Sequence, residues 1–382
     1  MSLWADKYRP RSLSELTFHP RISKQLQVMA SSGEFPHLLV YGPPGSGKKT
    51  RVLATLREIY GAGTERLRVD VKTFSLSSGR KLEFNVISSS FHLEITPSDM
   101  GNNDRIVIQD LLKEIGQTES LDFSKFENAV VSPNTREHAS SRKKFKVVII
   151  NEAELLTRDA QAALRRTMEK YSANIRLILI CNTTSNIIDP IKSRTLPIRI
   201  ASPSTSACAE VLEMILRKEH HARKAFPDDS EHRNIIFKRI SDASERNLRM
   251  SIMMMEAMYM NHDTVSINTP IIKPDWIDVV HELATSICKD RSVSRLQQAR
   301  STLYELLAHA IPAKLLLKKL TLTIWDFTGA LDLKDKAELR KAVISASTIY
   351  DERLSLGSKD IFHLEGFITK VMVILERYVV IN

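Results

Sequence analysis

Cysteine is rare in this chain. Cys181, Cys208 and Cys288 stand far apart with no CxxC pair, which argues against a disulfide scaffold or a cysteine zinc site and for reduced thiols inside a cell. Long apolar runs are missing too. None approaches the roughly 20 residues needed to cross a bilayer, so no membrane partner is expected. The opening stretch MSLWADKYRPRS carries no apolar signal core. Aromatic residues make up 6% of the chain, and no aromatic-rich basic stripe is present to stack on single-stranded nucleic acid. Glycine is scarce beyond Gly116, so little interrupts the helical patterns of the C-terminal half.

What is present reads as an ordinary soluble globular composition, 43% hydrophobic and 26% charged over 382 residues, enough for two or three domains. The formal net charge of +10, from 55 basic and 45 acidic residues, favours a polyanionic partner. Up to about residue 200, short apolar runs alternate with helical patterns. His37–Tyr41, Lys146–Ile150 and Leu177–Cys181 suit buried strands. Leu82, Phe84 and Val86 alternate as a strand does, after a Ser77-Ser78-Gly79 turn. Strand, crossover and strand at this spacing predict a mostly parallel sheet covered on both faces. We therefore expect an α/β nucleotide-binding domain over 1–201, a small helical domain over 202–268, and an all-α domain over 269–382 entered through the Pro270 and Pro274 linker. Leu315–Leu317 and Val371–Leu375 are the expected buried faces of the last domain.

The chemistry concentrates in Gly42-Pro43-Pro44-Gly45-Ser46-Gly47-Lys48-Lys49-Thr50. A glycine, four residues, glycine and lysine between an apolar strand and a helix form a phosphate-binding loop. Its amides face the anion at a helix N-terminus, and Lys48 reaches the outer phosphates. The pattern wants a hydroxyl after that lysine, to hold magnesium. Here Lys49 takes the place and the hydroxyl of Thr50 is one residue late, turned by about 100° on a helix. The acidic pair ending a later strand is altered as well. Asn151 replaces the usual metal-holding Asp, while Glu152 keeps the position of the base that orients an attacking water. Glu154 reads as a solvated helix-start residue. Lys49 is expected either to bring a second ammonium near the β-phosphate or to point into solvent. The loop should therefore bind ATP or ADP, with no metal ligands of its own and weak or absent hydrolysis.

WADKYRP at Trp4–Pro10, GPPGSGKKT at Gly42–Thr50, NEAELL at Asn151–Leu156, LRRTMEKY at Leu164–Tyr171, LILICN at Leu177–Asn182 and IKSRT at Ile191–Thr195 occur in this order. Together they resemble the small subunits of replication factor C, the eukaryotic AAA+ sliding-clamp loader. The likeness is greatest to the subunit at the non-hydrolysing position, and it spans essentially the whole chain. It implies an AAA+ domain, a helical lid and a helical collar. It further implies a nuclear heteropentamer of replication factor C subunits that loads a sliding clamp, proliferating cell nuclear antigen, onto primer–template DNA in replication and repair.

Residue by residue, the resemblance implies that Tyr8, Arg9 and Pro10 pack by the adenine. Asn182 matches a sensor beside the γ-phosphate, and Arg249 a second sensor in the lid, although the usual Gly-Asp before it is missing. Arg194 in Ser193-Arg194-Thr195 matches an arginine finger that reaches a neighbouring subunit's site, with Thr195 replacing Cys in the motif. Arg105 and Arg165 or Arg166 are implied as contacts to DNA phosphates, although the last two also suit subunit packing. The basic run Ser141–Lys146 reads as a solvated loop in preference to a DNA contact. A self-sufficient AAA+ DNA motor using Thr50, and a subunit of an alternative checkpoint or cohesion clamp loader, are the rival expectations.

Overall fold

In the computed structural model, residues 2–32, 35–75, 81–117, 145–172, 174–330, 336–357 and 359–379 are described. The Ser77-Ser78-Gly79 turn, and Ser141–Lys144 of the basic run, lie outside them. The chain divides into two compact units, Met1–Ile271 and Ile272–Asn382.

The first unit is built on seven strands: β1 Leu38–Tyr41, β2 Arg68–Ser75, β3 Lys81–Ser88, β4 His92–Ile95, β5 Lys146–Ile150, β6 Ile175–Cys181 and β7 Leu196–Arg199. Their order across the sheet is β2-β3-β4-β5-β6-β1-β7. The pairs β4–β5, β5–β6, β6–β1 and β1–β7 are parallel, whereas β2–β3 and β3–β4 are antiparallel. The sheet is thus mostly parallel with an antiparallel hairpin at one edge. Strand β2 escaped the sequence reading because only Phe74 of its apolar residues is buried. Val69 and Val71 are 70% and 59% exposed and alternate with charged residues, so no buried run marks the strand.

The central strands are apolar at nearly every position because each face is covered. Alternation sends Leu39, Val148, Ile150, Leu177 and Leu179 to one face. There they meet helices α4 (Asp104–Gln117) and α5 (Arg158–Lys170) through Val107, Leu111 and Leu164. Leu38, Val40, Val147, Ile149, Ile178 and Ile180 go to the other face, against Val52 and Leu56 of helix α3 (Lys48–Tyr60) and Leu26 of helix α2 (Pro20–Ser32). Helix α1 (Trp4–Lys7) precedes these, and a short α6 (Asp189–Lys192) leads into β7. Helix α5 starts where Thr157 accepts a hydrogen bond from Ala160 N at 3.2 Å, a side-chain N-cap. The Thr157 amide in turn donates to Asp104 Oδ2 at 2.7 Å, which joins the starts of α4 and α5.

Helices α7 (Thr205–Lys218), α8 (His220–Arg223), α9 (Ser230–Ala243) and α10 (Leu248–Asn261) follow the sheet in the same unit. The second unit holds α11 (Asp275–Lys289), α12 (Val293–Ala308), α13 (Ala313–Ala330), α14 (Lys336–Leu356) and α15 (Asp360–Val379) around one apolar core. Leu316, Leu317, Val371, Met372 and Leu375 enter it. Val373, in the middle of an apolar run, is 42% exposed, because a helix turns each successive residue by about 100°. Among the described residues no helix is long and apolar enough to cross a membrane.

Candidate nucleotide site

The loop leaves β1 and enters α3, and its glycines are needed for two separate reasons. At Gly42 (φ +149°) a Cβ would come within 1.9 Å of the Ile200 carbonyl oxygen. At Gly45 (φ +72°) it would come within 1.7 Å of Asn247 Oδ1. Backbone approach of this kind admits only a residue without a side chain. The first glycine lets β7 close on the loop; the second lets the helical region following the sheet touch it. Ser46 Oγ donates to Pro43 O at 2.8 Å and closes the turn, and Pro43 and Pro44 form its exposed tip.

Lys48 opens α3 and is buried. Its ammonium donates to Gly42 O at 2.7 Å, Pro43 O at 2.9 Å and Asn182 Oδ1 at 2.9 Å. Burial pulls its pKa below the usual lysine value, opposed mainly by the nearby Glu154 carboxylate. Asn182, at the carboxyl end of β6, donates from Nδ2 to Glu154 Oε1 at 2.8 Å, and its amide meets the same oxygen at 3.0 Å. Glu154 is therefore not the solvated residue expected from the sequence. It is half-buried and fixes the Asn182 amide so that its oxygen faces Lys48.

Lys49 also departs from expectation. Its ammonium makes an ion pair with Glu94 Oε1 of β4. Asn151 Nδ2 donates to the same oxygen at 2.7 Å. Glu94 is 4% exposed, and a carboxylate so buried needs both partners. Where a metal would sit between loop and strand, the donors are an ammonium, an amide and one carboxylate already bound by both. That set does not fit a divalent cation. Glu94 was missed by the sequence reading, although the lone acid in the buried strand HLEI was a signal. Glu152 is exposed, holds a left-handed backbone (φ +50°) and accepts from Ser98 Oγ at 3.1 Å.

Beside the loop lies a pocket walled by Tyr8, Arg9 and Pro10, by Gly45, Gly47 and Thr50, and by Leu248 and Arg249. Thr50 lines this pocket instead of sharing the direction of Lys49. Asn247 caps α10 by accepting from Met250 N at 3.2 Å. The turn before it holds Glu245 and Arg246 at φ +54° and +61°, a strained pair that a glycine would relieve. That turn brings Asn247 onto Gly45 and Arg249, an exposed residue, close enough to Lys48 to depress its pKa further. Loop, cation, the Asn182 amide and an aromatic-walled pocket fit a nucleotide.

Three family models match the chain: "DNA polymerase III, delta subunit" over residues 18–204, "RCF1/5-like, AAA+ ATPase lid domain" over 225–260, and "Replication factor C subunit 3, C-terminal domain" over 276–379. Replication factor C subunit 5 of Saccharomyces cerevisiae is 50% identical over 378 residues, covering 98% of this chain and 100% of that one. The chain belongs to the replication factor C family. Replication factor C subunit 3 of Homo sapiens is 40% identical over 378 residues, covering 99% of this chain and 97% of its own. Among solved structures, a RuvB variant of Thermotoga maritima matches with a TM-score of 0.47 and 12% identity, over 87% of this chain and 94% of that chain.

In this replication factor C chain Arg9 and Arg249 line the pocket, whereas Arg105, Arg165, Arg166 and Arg194 are outside its lining. Arg194 follows α6, is exposed, and pairs with Glu169 Oε1 at 2.7 Å through Nη2. Its Nη1 donates to Pro190 O at 2.9 Å. Arg105 opens α4 and lies 3.9 Å from Asp159 Oδ2. On α5, Arg166 is exposed and Arg165 half-buried, with a buried Nε that has no hydrogen-bond partner. Arg105 and the α5 pair are thus carried by neighbouring helices.

Proposed function

We propose that this chain is a regulatory subunit of a multi-subunit sliding-clamp loader, and that its own site holds ATP or ADP without turning it over efficiently. The observation that carries the reading is the ion pair between Lys49 and Glu94, shared with Asn151. It places a tethered cation where a hydrolytic site needs a metal with open coordination. Lys48 and the loop amides would hold the phosphates, while Tyr8, Arg9 and Pro10 would flank the base. A bound nucleotide supplies negative charge that binds the loop to the lid. Glu152, with its carboxylate drawn to Ser98, contributes no base within this chain.

In the assembly, a heteropentamer of replication factor C subunits in the nucleus, Arg194 acts in trans. It would leave Glu169 and stabilise charge on the phosphoryl group transferred in a neighbour's site, as a planar guanidinium does. Arg105, Arg165 and Arg166 would follow the phosphates of primer–template DNA without reading bases. The sliding clamp, proliferating cell nuclear antigen, is the object loaded, in replication and repair. The carriage of this chain by an alternative checkpoint or cohesion loader is compatible with the same residues. A self-sufficient DNA motor built on Thr50 is disfavoured by the direction of that side chain.

Two measurements test this. The purified full chain should retain ADP through gel filtration in EDTA as well as in magnesium, and show no metal-stimulated turnover. Turnover abolished by Lys48→Ala would reject the regulatory role. Separately, Arg194→Ala in the reconstituted complex should lower its ATPase by about a thousandfold or more at the affected site, the scale of a lost arginine finger, with assembly intact by sizing. An unchanged rate would remove the finger.

A further inference from the structure

The first eight residues contribute a wall of the pocket, yet their only element is the four-residue helix α1, too short to hold a conformation by itself. Side chains must hold the segment, and the contacts that do so go to the helical lid. Trp4 is 5% exposed and stacks on Tyr259 of α10, with ring centroids 5.6 Å apart. The Trp4 amide donates to Glu256 Oε2 at 3.0 Å. At the other end, Tyr8 donates its hydroxyl to Glu219 Oε1 at 2.6 Å, and Lys7 makes an ion pair with the same oxygen. Glu219 occupies the junction of α7 and α8, where its amide closes the end of α7 by donating to Ile215 O at 3.1 Å. The Tyr8 ring also faces the Lys218 ammonium, 5.8 Å from its centroid. Met214, Ile215 and Lys218 from the same helix end line the pocket beside Tyr8. The segment is therefore strapped at both ends to the helices that follow the sheet.

We propose that Glu219 is a positioning residue for the nucleobase: by holding the Tyr8 hydroxyl it fixes the wall on which the base packs, and so governs how long a nucleotide stays bound. The inference rests on the reading of the loop as a nucleotide site, and it concerns the base end of that site alone. The phosphate end is held by Lys48 and the loop amides, which do not touch Glu219. Removing the strap contact should leave recognition of a bare polyphosphate intact. Protonation directions agree with a shared hydrogen bond. Lys7 and then Tyr8 hold the Glu219 carboxyl below its ordinary range, while burial, followed by Glu219, raises Tyr8.

The test uses the full chain loaded with ADP carrying a fluorescent label on its ribose, chased with unlabelled ADP. Tyr8→Phe keeps the ring and the fold and removes only the hydroxyl; Glu219→Ala removes the acceptor. Each should speed release about tenfold, the worth of one hydrogen bond to a charged group. The double variant should release no faster than the faster single one, since both break the same bond. The inhibition constant of inorganic pyrophosphate, corrected for each variant's affinity for the label, should be the same in the parent and every variant. Release at the parent rate in both single variants would overturn the inference, as would a parallel loss of pyrophosphate competition or fully multiplicative effects in the double variant. A parent chain that holds no labelled ADP would instead overturn the nucleotide reading, and this inference with it.

Discussion

Lys48→Ala should reduce the affinity of the chain for ADP by about a hundredfold or more, by far the largest effect of any single change at the loop. The ammonium sits within 2.9 Å of three oxygens, two from the loop and one from Asn182. It is already desolvated and aimed before any anion arrives. A phosphate oxygen would replace one or two of those acceptors with a charged one. Hydrogen bonds to charged groups are worth about 1.5–3 kcal/mol each, so losing two weakens binding by roughly 3 kcal/mol or more, or over a hundredfold. Lys49 cannot substitute, because it is bound to Glu94 on the other side of the helix start. Titration of labelled ADP with the variant, whose melting temperature is checked against the parent, measures this. An affinity within threefold of the parent would mean that the loop amides alone carry the phosphates and that Lys48 serves only to close the loop.

The features legible in the sequence were those encoded locally. A buried strand in a parallel sheet shows itself as an unbroken apolar run, and Lys146–Ile150 and Leu177–Cys181 did so. The glycine spacing of the loop is likewise a property of consecutive residues. Directions of side chains across the sheet were not legible. Whether Lys49 points to a phosphate, to water or to Glu94 depends on the pairing of β4 with β5, which places Glu94 opposite Ile149 and within reach of Asn151. Glu154 looked like a helix-start residue because acids favour that place, but the strand β6 brings Asn182 onto it from 28 positions away. Glu219 and Asn247 lie about 200 residues from the groups they touch, Tyr8 and Gly45. No spacing rule reaches that far. Strand β2 was hidden for the opposite reason: an edge strand with outward valines and a single buried residue, Phe74, has no apolar run to advertise.

Arg51→Leu should lower the melting temperature of the first unit by roughly 6–10 °C, the equivalent of about 3 kcal/mol in a unit of this size. Arg51 lies one turn beyond Lys48 on α3, is 1% exposed, and burial holds its pKa down at about 10. That still leaves it charged at neutral pH. Among the described residues no carboxylate pairs with it. Its guanidinium instead donates to Phe18 O at 2.9 Å, to Ser23 Oγ at 3.1 Å and to His19 O at 3.3 Å, and lies 5.4 Å from the Phe18 ring centre. These contacts secure a bend in which His19 adopts φ +56°, an unfavourable backbone state that persists only when its surroundings impose it. Leucine relieves the cost of burying a charge but leaves Phe18 O and Ser23 Oγ without this donor, at about 1–3 kcal/mol for each buried one, while His19 O keeps the amides of Ile22 and Ser23. The second effect wins because Phe18 O is fixed in a bent main chain and cannot turn to water. Arg51→Lys keeps one or two of the bonds and should fall between leucine and the parent. The consequence reaches the site, since Phe18 lines the pocket and would lie 3.4 Å from a Cβ at Gly47. ADP should therefore raise the melting temperature of Arg51→Leu by less than it raises the parent's. Parent-like melting of Arg51→Leu would show that the bend holds without its cation, and that packing around Phe18, not the guanidinium, shapes that wall of the pocket.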